Sequence, residues 1–269
     1  MSVFIADHTG KIPSIGRCVR PVHIGAAMVD PDQRGPEPDC LTEPNISATV
    51  AFADLRLHNY VARLDIPNDQ VIALMQYRRM FYIGTSRLFS AHERRLYRKS
   101  QNSGADCFKA PLKKRPAYLR RLSMLTDKDL SSFLGGDAAV MSGHALSEQG
   151  LQPGFLAGVE ELYPGDVRYK SAWFKMREVL EARVDPRLVK QQFDAQSQAY
   201  FHNAMVTTFF TFKAYADFLF DILGELHEYE DVPRVFGYLA ERIQSVYVDH
   251  IQANDPTFTV RRQPLIFYV

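Results

Sequence analysis

The sequence predicts a mixed α/β fold, with a sheet at the N-terminal side of the chain and a helical C-terminal part. Two short apolar runs, Val3–Ala6 and Val71–Met75, are each bounded by polar residues, which is typical of strands buried on both faces. The last third instead carries apolar residues at helical spacing, as in Lys213–Tyr229. A chain of 269 residues can form one large domain or two small ones, and we expect one.

The composition argues against several classes of protein. The sequence is 46% hydrophobic and 23% charged, which is ordinary for a globular protein, and its net charge of +1 gives no overall field that would attract nucleic acid. Three widely spaced cysteines argue against a disulfide framework and against a C-x-x-C metal site. The sequence contains no signal-peptide pattern and no apolar stretch near the roughly 20 residues that span a bilayer. We therefore expect a cytoplasmic protein.

The first quarter of the chain is predicted to hold two strands, a loop and a helix. Val3–Ala6 is the first strand, and it ends in the polar residues Asp7 and His8. Val19–Ala27 is a second extended segment, and Met28–Pro44 is a proline-rich, acidic loop. A helical pattern then runs from Asn45 to Arg63, with Asn45 or Ser47 as the N-cap.

The next strand, Val71–Met75, is followed by two adjacent arginines, Arg78 and Arg79. Ligands of open α/β sheets bind beyond the carboxyl ends of the strands, and arginine suits bidentate binding of phosphate. The pair therefore predicts an anion-binding edge, most simply for a diphosphate. The alternative is that one arginine pairs with an acid while the other is solvated, and the residue pattern favours neither interpretation.

Residues 87–121 form a basic stretch, with eleven lysines and arginines against Glu93 and Asp106. One interpretation is a peripheral contact with anionic lipid head groups or with a lipid-diphosphate acceptor, at about 1 kcal/mol for each basic residue near the surface. The other, slightly favoured, is a solvated and partly mobile insertion. RNA binding ranks third, because the pattern matches no RNA-binding module.

The remaining elements are predicted mainly as helices, with two further extended segments. Thr126 is a typical N-cap for a short helix that ends at Gly135-Gly136. The predicted helices are Thr126–Leu134, Tyr169–Ala182, Pro186–Gln198, Lys213–Tyr229 and Arg234–Ile251. Asp137–Met141 is predicted as a strand, Tyr200–Phe212 is β-prone, and Thr259–Val269 is a strand or a covering arm.

Several of these segments together resemble a bacterial polysaccharide glycosyltransferase family that was long catalogued only as a domain of unknown function. The segments that carry the resemblance are F-I-A-D-H and P-V-H-I-G-A-A within Val3–Ala27, N-I-S at Asn45–Ser47, A-L-M-Q-Y-R-R-M-F at Ala73–Phe81, Phe201–Phe209, Tyr215–Glu225 and Arg234–Arg242. Members occur in capsule, O-antigen and exopolysaccharide gene sets, and the characterised activity is galactofuranosyl transfer from UDP-galactofuranose.

The sequence departs from the family pattern at several positions. The family usually shows Glu-Leu-Thr in the helix after N-I-S, where this chain has Asp54-Leu55-Arg56. The asparagine that the family places before Met-Phe remains only as Asn203, ahead of Ala204-Met205. A Gln-Tyr…His pattern is not clear, and only Tyr163 and Asp166 remain as candidates. The donor sugar and the acceptor are therefore open.

The resemblance implies a single domain with a GT-A-like, nucleotide-sugar-binding fold. Residues 1–145 would be its mainly α/β, donor-binding part, and residues 146–269 its mainly helical, acceptor-side part. The reaction would be inverting transfer from a UDP-sugar to a growing surface polysaccharide or a lipid-linked acceptor at the inner face of the membrane. The residues that we expect to bind the donor are His8, Asn45, Arg78, Arg79, Asn203 and Arg242, although Arg242 has the alternative of a structural ion pair with Glu241.

An inverting transfer needs a carboxylate that deprotonates the acceptor hydroxyl. Three acids at predicted element ends are candidates, in the order Asp166, Asp137 and Asp54, and surface solvation or capping is the alternative for each. Arg78 and Arg79 stand where an Asp-x-Asp metal pair would be expected, so cations rather than a metal would stabilise the departing UDP, although a divalent metal remains an alternative.

Two further functions remain open on the sequence. The first is a non-catalytic nucleotide-sugar-binding or glycan-binding partner of another transferase, which the departures from the family pattern leave open behind the leading function of glycosyl transfer. The second, weaker one is an anion-binding interaction protein that is built around residues 87–121.

Overall fold

A computed structural model of the chain describes residues 2–13, 16, 18–83, 91–145, 164–194 and 198–269. These residues form nine strands and eight α-helices. The strands are β1 (Ser2–Asp7), β2 (Val19–His23), β3 (Val71–Gln76), β4 (Arg79–Phe81), β5 (Cys107–Ala110), β6 (Ala139–Ala145), β7 (Gln198–Thr208), β8 (Val260–Arg262) and β9 (Leu265–Tyr268). The helices are α1 (Leu55–Ala62), α2 (Ala91–Ser103), α3 (Arg115–Leu122), α4 (Asp127–Leu134), α5 (Val167–Arg183), α6 (Pro186–Asp194), α7 (Phe209–Gly224) and α8 (Val235–Asn254).

The strands form one mixed sheet, in which β3 occupies a central position. β1 pairs in parallel with both β2 and β3, so the carboxyl ends of these three strands lie at one edge of the sheet. On its other side β3 pairs with the antiparallel β7, which continues to β6 and β8. A tight turn after Gln76 leads from β3 into β4, and β4 pairs with β9 and, through it, with β5.

Apolar side chains of the central strands alternate between two hydrophobic cores, one on each face of the sheet. In β3, Ile72 and Leu74 pack with α1 and α5 to α8, whereas Ala73 and Met75 pack with α3 and α4 on the opposite face. Phe4 and Val3 divide between the two cores in the same way. Burial on both faces explains why these strands are continuous apolar runs rather than alternating ones.

Most of the predicted elements are confirmed. The strands β1 and β3, the sheet contribution of residues 259–269 and the helices α4 to α8 lie where the sequence indicates them, within a few residues at their ends. Thr126 caps α4 as predicted: its hydroxyl oxygen accepts the backbone N–H of Asp129, and the Asp129 carboxylate accepts the backbone N–H of Thr126 at 2.8 Å. This reciprocal pair is a capping box.

The predicted start of the first helix was wrong. Neither Asn45 nor Ser47 is an N-cap, because α1 begins only at Leu55, with Asp54 in the N-cap position. The Ser47 hydroxyl instead donates to the buried carboxylate of Asp39, and Asn45 Oδ1 accepts the Ser47 backbone N–H at 2.9 Å. Polar side chains that can cap a helix can equally bind their own loop.

The basic stretch forms regular elements of the fold in its described residues, whereas its solvation and partial mobility stay a prediction. Residues 91–121 form α2, β5 and most of α3. Phe108 and Tyr118 are buried in one of the two cores, and β5 pairs with β9 over four residues. The basic side chains therefore lie on elements that pack into the domain. Residues 87–90 fall outside the described part of the chain.

The C-terminal part contributes strands as well as helices, because β7, β8 and β9 all follow residue 197. The division into parts 1–145 and 146–269 stays a prediction, since residues 146–163 lie outside the described chain. Among the helices that the structure describes, none is both long and apolar enough to cross a bilayer.

Candidate active site

A cavity of about 500 Å³ lies at the edge of the sheet where the parallel strands β1 and β3 end. This is the edge at which open α/β sheets bind ligands. Its walls come from the residues that follow these strands, the start of α1, the start of α8 and strand β9. The lining residues are His8, Met28, Val50, Ala53, Asp54, Arg56, Gln76, Tyr77, Arg78, Arg79, Pro233, Arg234 and Phe267.

Arg78 and Arg79 both line this cavity. Gln76 and Arg79 pair across the β3–β4 turn, and Arg79 Nη1 donates to Gln76 Oε1 at 2.9 Å. The Arg79 guanidinium lies 5.2 Å from the ring centroid of Phe267, and that of Arg78 lies 5.2 Å from the ring of Tyr77. Neither arginine has a carboxylate partner within the described residues, so the predicted pairing of one of them with an acid is not found there.

Gln76 is the residue that holds Arg79 in place. Its Nε2 donates to the carbonyl oxygen of His202 at 2.9 Å, while its Oε1 accepts from Arg79. His202 and Asn203 both have a left-handed backbone, with φ of 71° and 47°, within the long strand β7. The His202 ring lies 3.0 Å from Asp106 Oδ2. Consecutive strained residues of this kind cluster near functional sites, and here they fix the acceptor that orients Gln76.

His8 and Asp54 meet in the same cavity. Asp7 closes β1 with its carboxylate turned into a buried turn, where it accepts the backbone N–H of Ile12 at 2.9 Å. His8 follows at the surface, and its Nε2 lies 2.7 Å from Asp54 Oδ1. The His8 ring also stands edge-on to Tyr77 at 5.7 Å. The Asp54 carboxylate is therefore held by His8, the residue that follows β1.

Two cavity arginines were not predicted from the sequence. Arg56 lies in the first turn of α1 and is only 6% exposed. The only sequence feature that indicates its burial is its position between two leucines in the mainly apolar segment A-F-A-D-L-R-L. Arg234 precedes α8 with a left-handed φ of 62°, and its backbone N–H donates to Val50 O at 3.0 Å. Nothing in the sequence around Arg234 indicates that this turn faces the end of β3.

The structure brings four of the nine predicted site residues together, namely His8, Asp54, Arg78 and Arg79. Asn45 lies on the exposed loop described above, where its Nδ2 donates to Cys40 O at 3.2 Å. Asn203 is buried and donates to Gly237 O at 3.1 Å, so it holds β7 against α8. Arg242 donates to Glu241 Oε2 at 2.7 Å, which is the ion pair considered as its alternative role.

The other two base candidates lie away from the cavity lining. Asp137 accepts from Arg261 Nε at 2.6 Å, which joins the start of β6 to β8. Asp166 caps α5 by accepting the backbone N–H of Arg168 at 3.0 Å. This hydrogen bond is the main reason why the pKa of Asp166 lies below its ordinary value, and a lower pKa makes a weaker base. Tyr163 lies outside the described residues.

The charge of the cavity lining is strongly positive. Four arginines and one histidine stand against the single carboxylate of Asp54. The structure offers no group of three or more metal-ligating side chains anywhere in the ranges that it describes. An arrangement of guanidinium groups around an open cavity suits an anion that carries two or more negative charges, with phosphate oxygens as acceptors.

Comparison with known proteins gives a family and a fold. The family described as domain of unknown function DUF4422 matches residues 2–253. A solved structure of WbbM, described as a bifunctional glycosyltransferase in the apo state, is similar at a TM-score of 0.65 and 18% identity. The similarity covers 99% of this chain but 45% of that one, so the chain spans less than half of its length. No curated protein matches the sequence. The mixed sheet with helices on both faces is thus a GT-A-like fold.

Proposed function

The chain belongs to the family described as domain of unknown function DUF4422, and we propose that it is a glycosyltransferase that uses a nucleotide-diphosphate sugar as donor. The single observation that carries this proposal is the arginine-lined cavity at the carboxyl edge of the sheet. The bifunctional glycosyltransferase named for the similar structure supports it at the level of the fold.

In this mechanism Arg78 and Arg79 bind the diphosphate and stabilise the charge that develops on it as the bond between the anomeric carbon and the phosphate oxygen of the donor breaks. Both guanidinium groups line the cavity before any ligand enters, and Arg79 is held by Gln76 and Phe267. Such preorganised cations stabilise a leaving group without further rearrangement. We propose that they do so without a metal ion, because they stand where a metal-binding acid pair would otherwise lie.

The base that we propose is Asp54, since it alone of the three predicted acids lines the cavity. Its carboxylate would take the proton of the acceptor hydroxyl as that oxygen attacks the anomeric carbon from the face opposite the departing diphosphate, and this single displacement gives inversion. His8, at 2.7 Å from Asp54 Oδ1, would hold the carboxylate in position.

The finer assignment rests on the sequence resemblance. We propose a UDP-sugar donor, with UDP-galactofuranose as the first candidate, and a growing surface polysaccharide or lipid-linked glycan as acceptor. The basic residues of α2 and α3 would then face anionic lipid at the inner surface of the membrane.

A thermal-shift screen tests the donor assignment. The melting temperature is compared with and without UDP, UDP-galactofuranose, UDP-galactopyranose and UDP-glucose, each with and without manganese. A ligand that binds only the folded state raises the melting temperature. We expect stabilisation by UDP without metal, and its loss in Arg78→Ala and in Arg79→Ala.

As a matched control, Arg187→Ala removes an exposed arginine on α6, whose partner is Asp185, and should leave the UDP shift unchanged. Stabilisation that requires manganese, or that survives both cavity substitutions, would contradict the proposed arrangement.

A non-catalytic, nucleotide-sugar-binding partner of another transferase is the second candidate. The observation that favours it is the position of Asp137 and Asp166, which are engaged in an ion pair and a helix cap away from the cavity lining. It predicts that UDP-sugars bind without being hydrolysed or transferred, whereas the enzyme predicts slow donor hydrolysis even without acceptor.

A further inference from the structure

Arg56 is a buried guanidinium that opens onto the cavity. Its side chain enters from α1, and Nη2 donates to Thr49 O at 2.8 Å and contacts the sulfur of Met28 at 3.5 Å. Its Nε has no hydrogen-bond partner within the described residues, and no carboxylate there comes within ion-pair distance of its guanidinium. A charge that is removed from water normally has a hydrogen-bonded counter-charge.

The two nearest acids are engaged elsewhere. Asp39 is buried and accepts the backbone N–H groups of Gly25 at 2.8 Å and Ala26 at 3.0 Å. Asp54 accepts from His8. Burial lowers the pKa of Arg56 below its ordinary value, although Asp39 and Asp54 both attract the charge. The two nearest acids thus attract the Arg56 charge without forming an ion pair with it.

The backbone makes room for the guanidinium at this position. Gly25 has a left-handed φ of 77°, and a Cβ atom on it would come within 2.7 Å of Arg56 Nη1. The glycine thus allows the guanidinium to lie against the chain after β2, in the same cavity lining as Arg78 and Arg79. Any larger residue at position 25 would displace it.

We propose that Arg56 forms a second phosphate subsite, which binds one phosphate group of a diphosphate while Arg78 and Arg79 bind the other. A phosphate oxygen would supply the partner that Nε lacks, and the anion would supply the counter-charge that the buried guanidinium lacks. The cavity would thus select a diphosphate over a monophosphate. This inference rests on the proposed function for the nature of the donor, but the subsite itself requires only a diphosphate.

The test compares UDP, UMP, inorganic pyrophosphate and inorganic phosphate as ligands of the wild type and of Arg56→Met, by thermal shift and by calorimetric titration. We expect the wild type to bind UDP at least about tenfold more tightly than UMP, which corresponds to about 1.4 kcal/mol. In Arg56→Met this preference should disappear, and pyrophosphate should bind no more tightly than inorganic phosphate, because only the phosphate held by Arg78 and Arg79 would remain bound.

The stability of the unliganded variant separates ligand binding from a structural role. Because the Arg56 guanidinium is buried without a paired carboxylate, Arg56→Met should melt at or above the temperature of the wild type in a phosphate-free buffer. If its main role were to tie α1 to Thr49, the variant would melt several degrees lower and would keep the preference for UDP. That combination would overturn the subsite.

Two further variants complete the experiment. Arg63→Met removes an exposed arginine at the end of the same helix and should change neither the melting temperature nor the preference. Arg56→Lys keeps the charge but not the planar fork, so it should bind UDP with an intermediate preference, and it decides the matter if Arg56→Met does not fold.

Failure of the subsite can be told from failure of the proposed function. If Arg56→Met keeps the full preference for UDP while Arg78→Ala and Arg79→Ala lose UDP binding, the donor-binding role of the cavity is supported and the Arg56 subsite is contradicted. If pyrophosphate binds through Arg56 but no nucleotide sugar binds or turns over, the phosphate subsite is supported and the proposed transferase function is contradicted. No stabilisation of the wild type by any of the four ligands would overturn the subsite.

Discussion

Asp54 occupies the N-cap position of α1 and shares its Oδ1 with His8 at 2.7 Å. It faces the same cavity as the four arginines, so a carboxylate and the cations that would bind a leaving group stand together. The pair is assembled from the end of the first strand and the start of the first helix, 46 residues apart in the chain.

The substitution Asp54→Asn should reduce turnover of donor and acceptor by about 10²- to 10⁴-fold, the range that a general base contributes, and should leave UDP binding nearly intact. Initial rates and UDP titration of the same preparation measure the two effects. Asp137→Asn and Asp166→Asn are expected to keep turnover within a few-fold of the wild type. Normal turnover in Asp54→Asn, together with a loss of turnover in Asp166→Asn, would instead identify Asp166 as the base, which is the first candidate from the sequence.

Residues that follow a strongly patterned strand were predictable, whereas residues that turn inward from a helix or a loop were not. Arg78 and Arg79 follow the apolar run of β3, and His8 follows that of β1, so their place at the sheet edge follows from the pattern. Arg56 follows no apolar strand pattern, and its burial depends on Gly25 and Met28 from another part of the chain. Contacts of this kind are set by tertiary packing, which local sequence does not encode.

At the scale of elements, helix α1 both carries cavity residues and packs into the core. Its His58 is fully buried and lies 5.8 Å from the ring of Phe212 and 6.3 Å from the ring of Tyr215 on α7. Burial lowers the pKa of His58 from 6.5 to about 4, although Asp54 attracts the charged form. The helix is therefore docked through a histidine that the fold keeps neutral.

The lowered pKa of His58 makes the stability of the folded protein depend on pH. Between pH 6.5 and about pH 4 the unfolded chain binds a proton at His58 and the folded chain does not, so stability falls as the pH drops through this window. The loss between about pH 7.5 and about pH 5 should be about 2 kcal/mol from this group. Urea unfolding at the two pH values measures it. His58→Met should show a smaller loss, and an equal loss in both proteins would exclude His58 as the cause.

The boundaries of elements were less predictable than their presence. The aromatic run Phe209–Phe212 is β-prone, yet β7 ends at Thr208 and α7 begins at Phe209. The change from strand to helix occurs at Thr208, whose side chain accepts the backbone N–H of Thr211 at 3.3 Å as an N-cap. Burial in the core therefore overrides the strand propensity of Phe209 and Phe212, and the Thr208 cap marks where the helix begins.

At the scale of the whole molecule, positive charge is local rather than global. The net charge is +1, while the cavity carries four arginines against one carboxylate. Salt ions screen charges beyond about 8 Å at physiological ionic strength. A charged donor should therefore be attracted at short range by the cavity and hardly at all by the molecule as a whole.

Calorimetric titration at low and high sodium chloride tests this distribution. We expect the Kd for UDP to rise several-fold between about 50 mM and about 500 mM salt, because the phosphates meet partly exposed arginines. The Kd for uridine, which carries no phosphate, should not change. A Kd for UDP that is insensitive to salt would mean that the arginines are not its main contacts.

The strand β9 joins this cavity to residues that come late in the sequence. Its Phe267 lies over Arg79, and the backbone N–H of Tyr268 donates to Arg78 O at 2.8 Å. These residues follow the segment 2–253 that the family match covers. On the ribosome, at roughly 5–20 residues per second, tens of seconds separate the synthesis of β1 from that of β9. The nascent chain can thus form its parallel strands early, but the cavity lining is complete only when β9 has emerged from the exit tunnel and paired with β4.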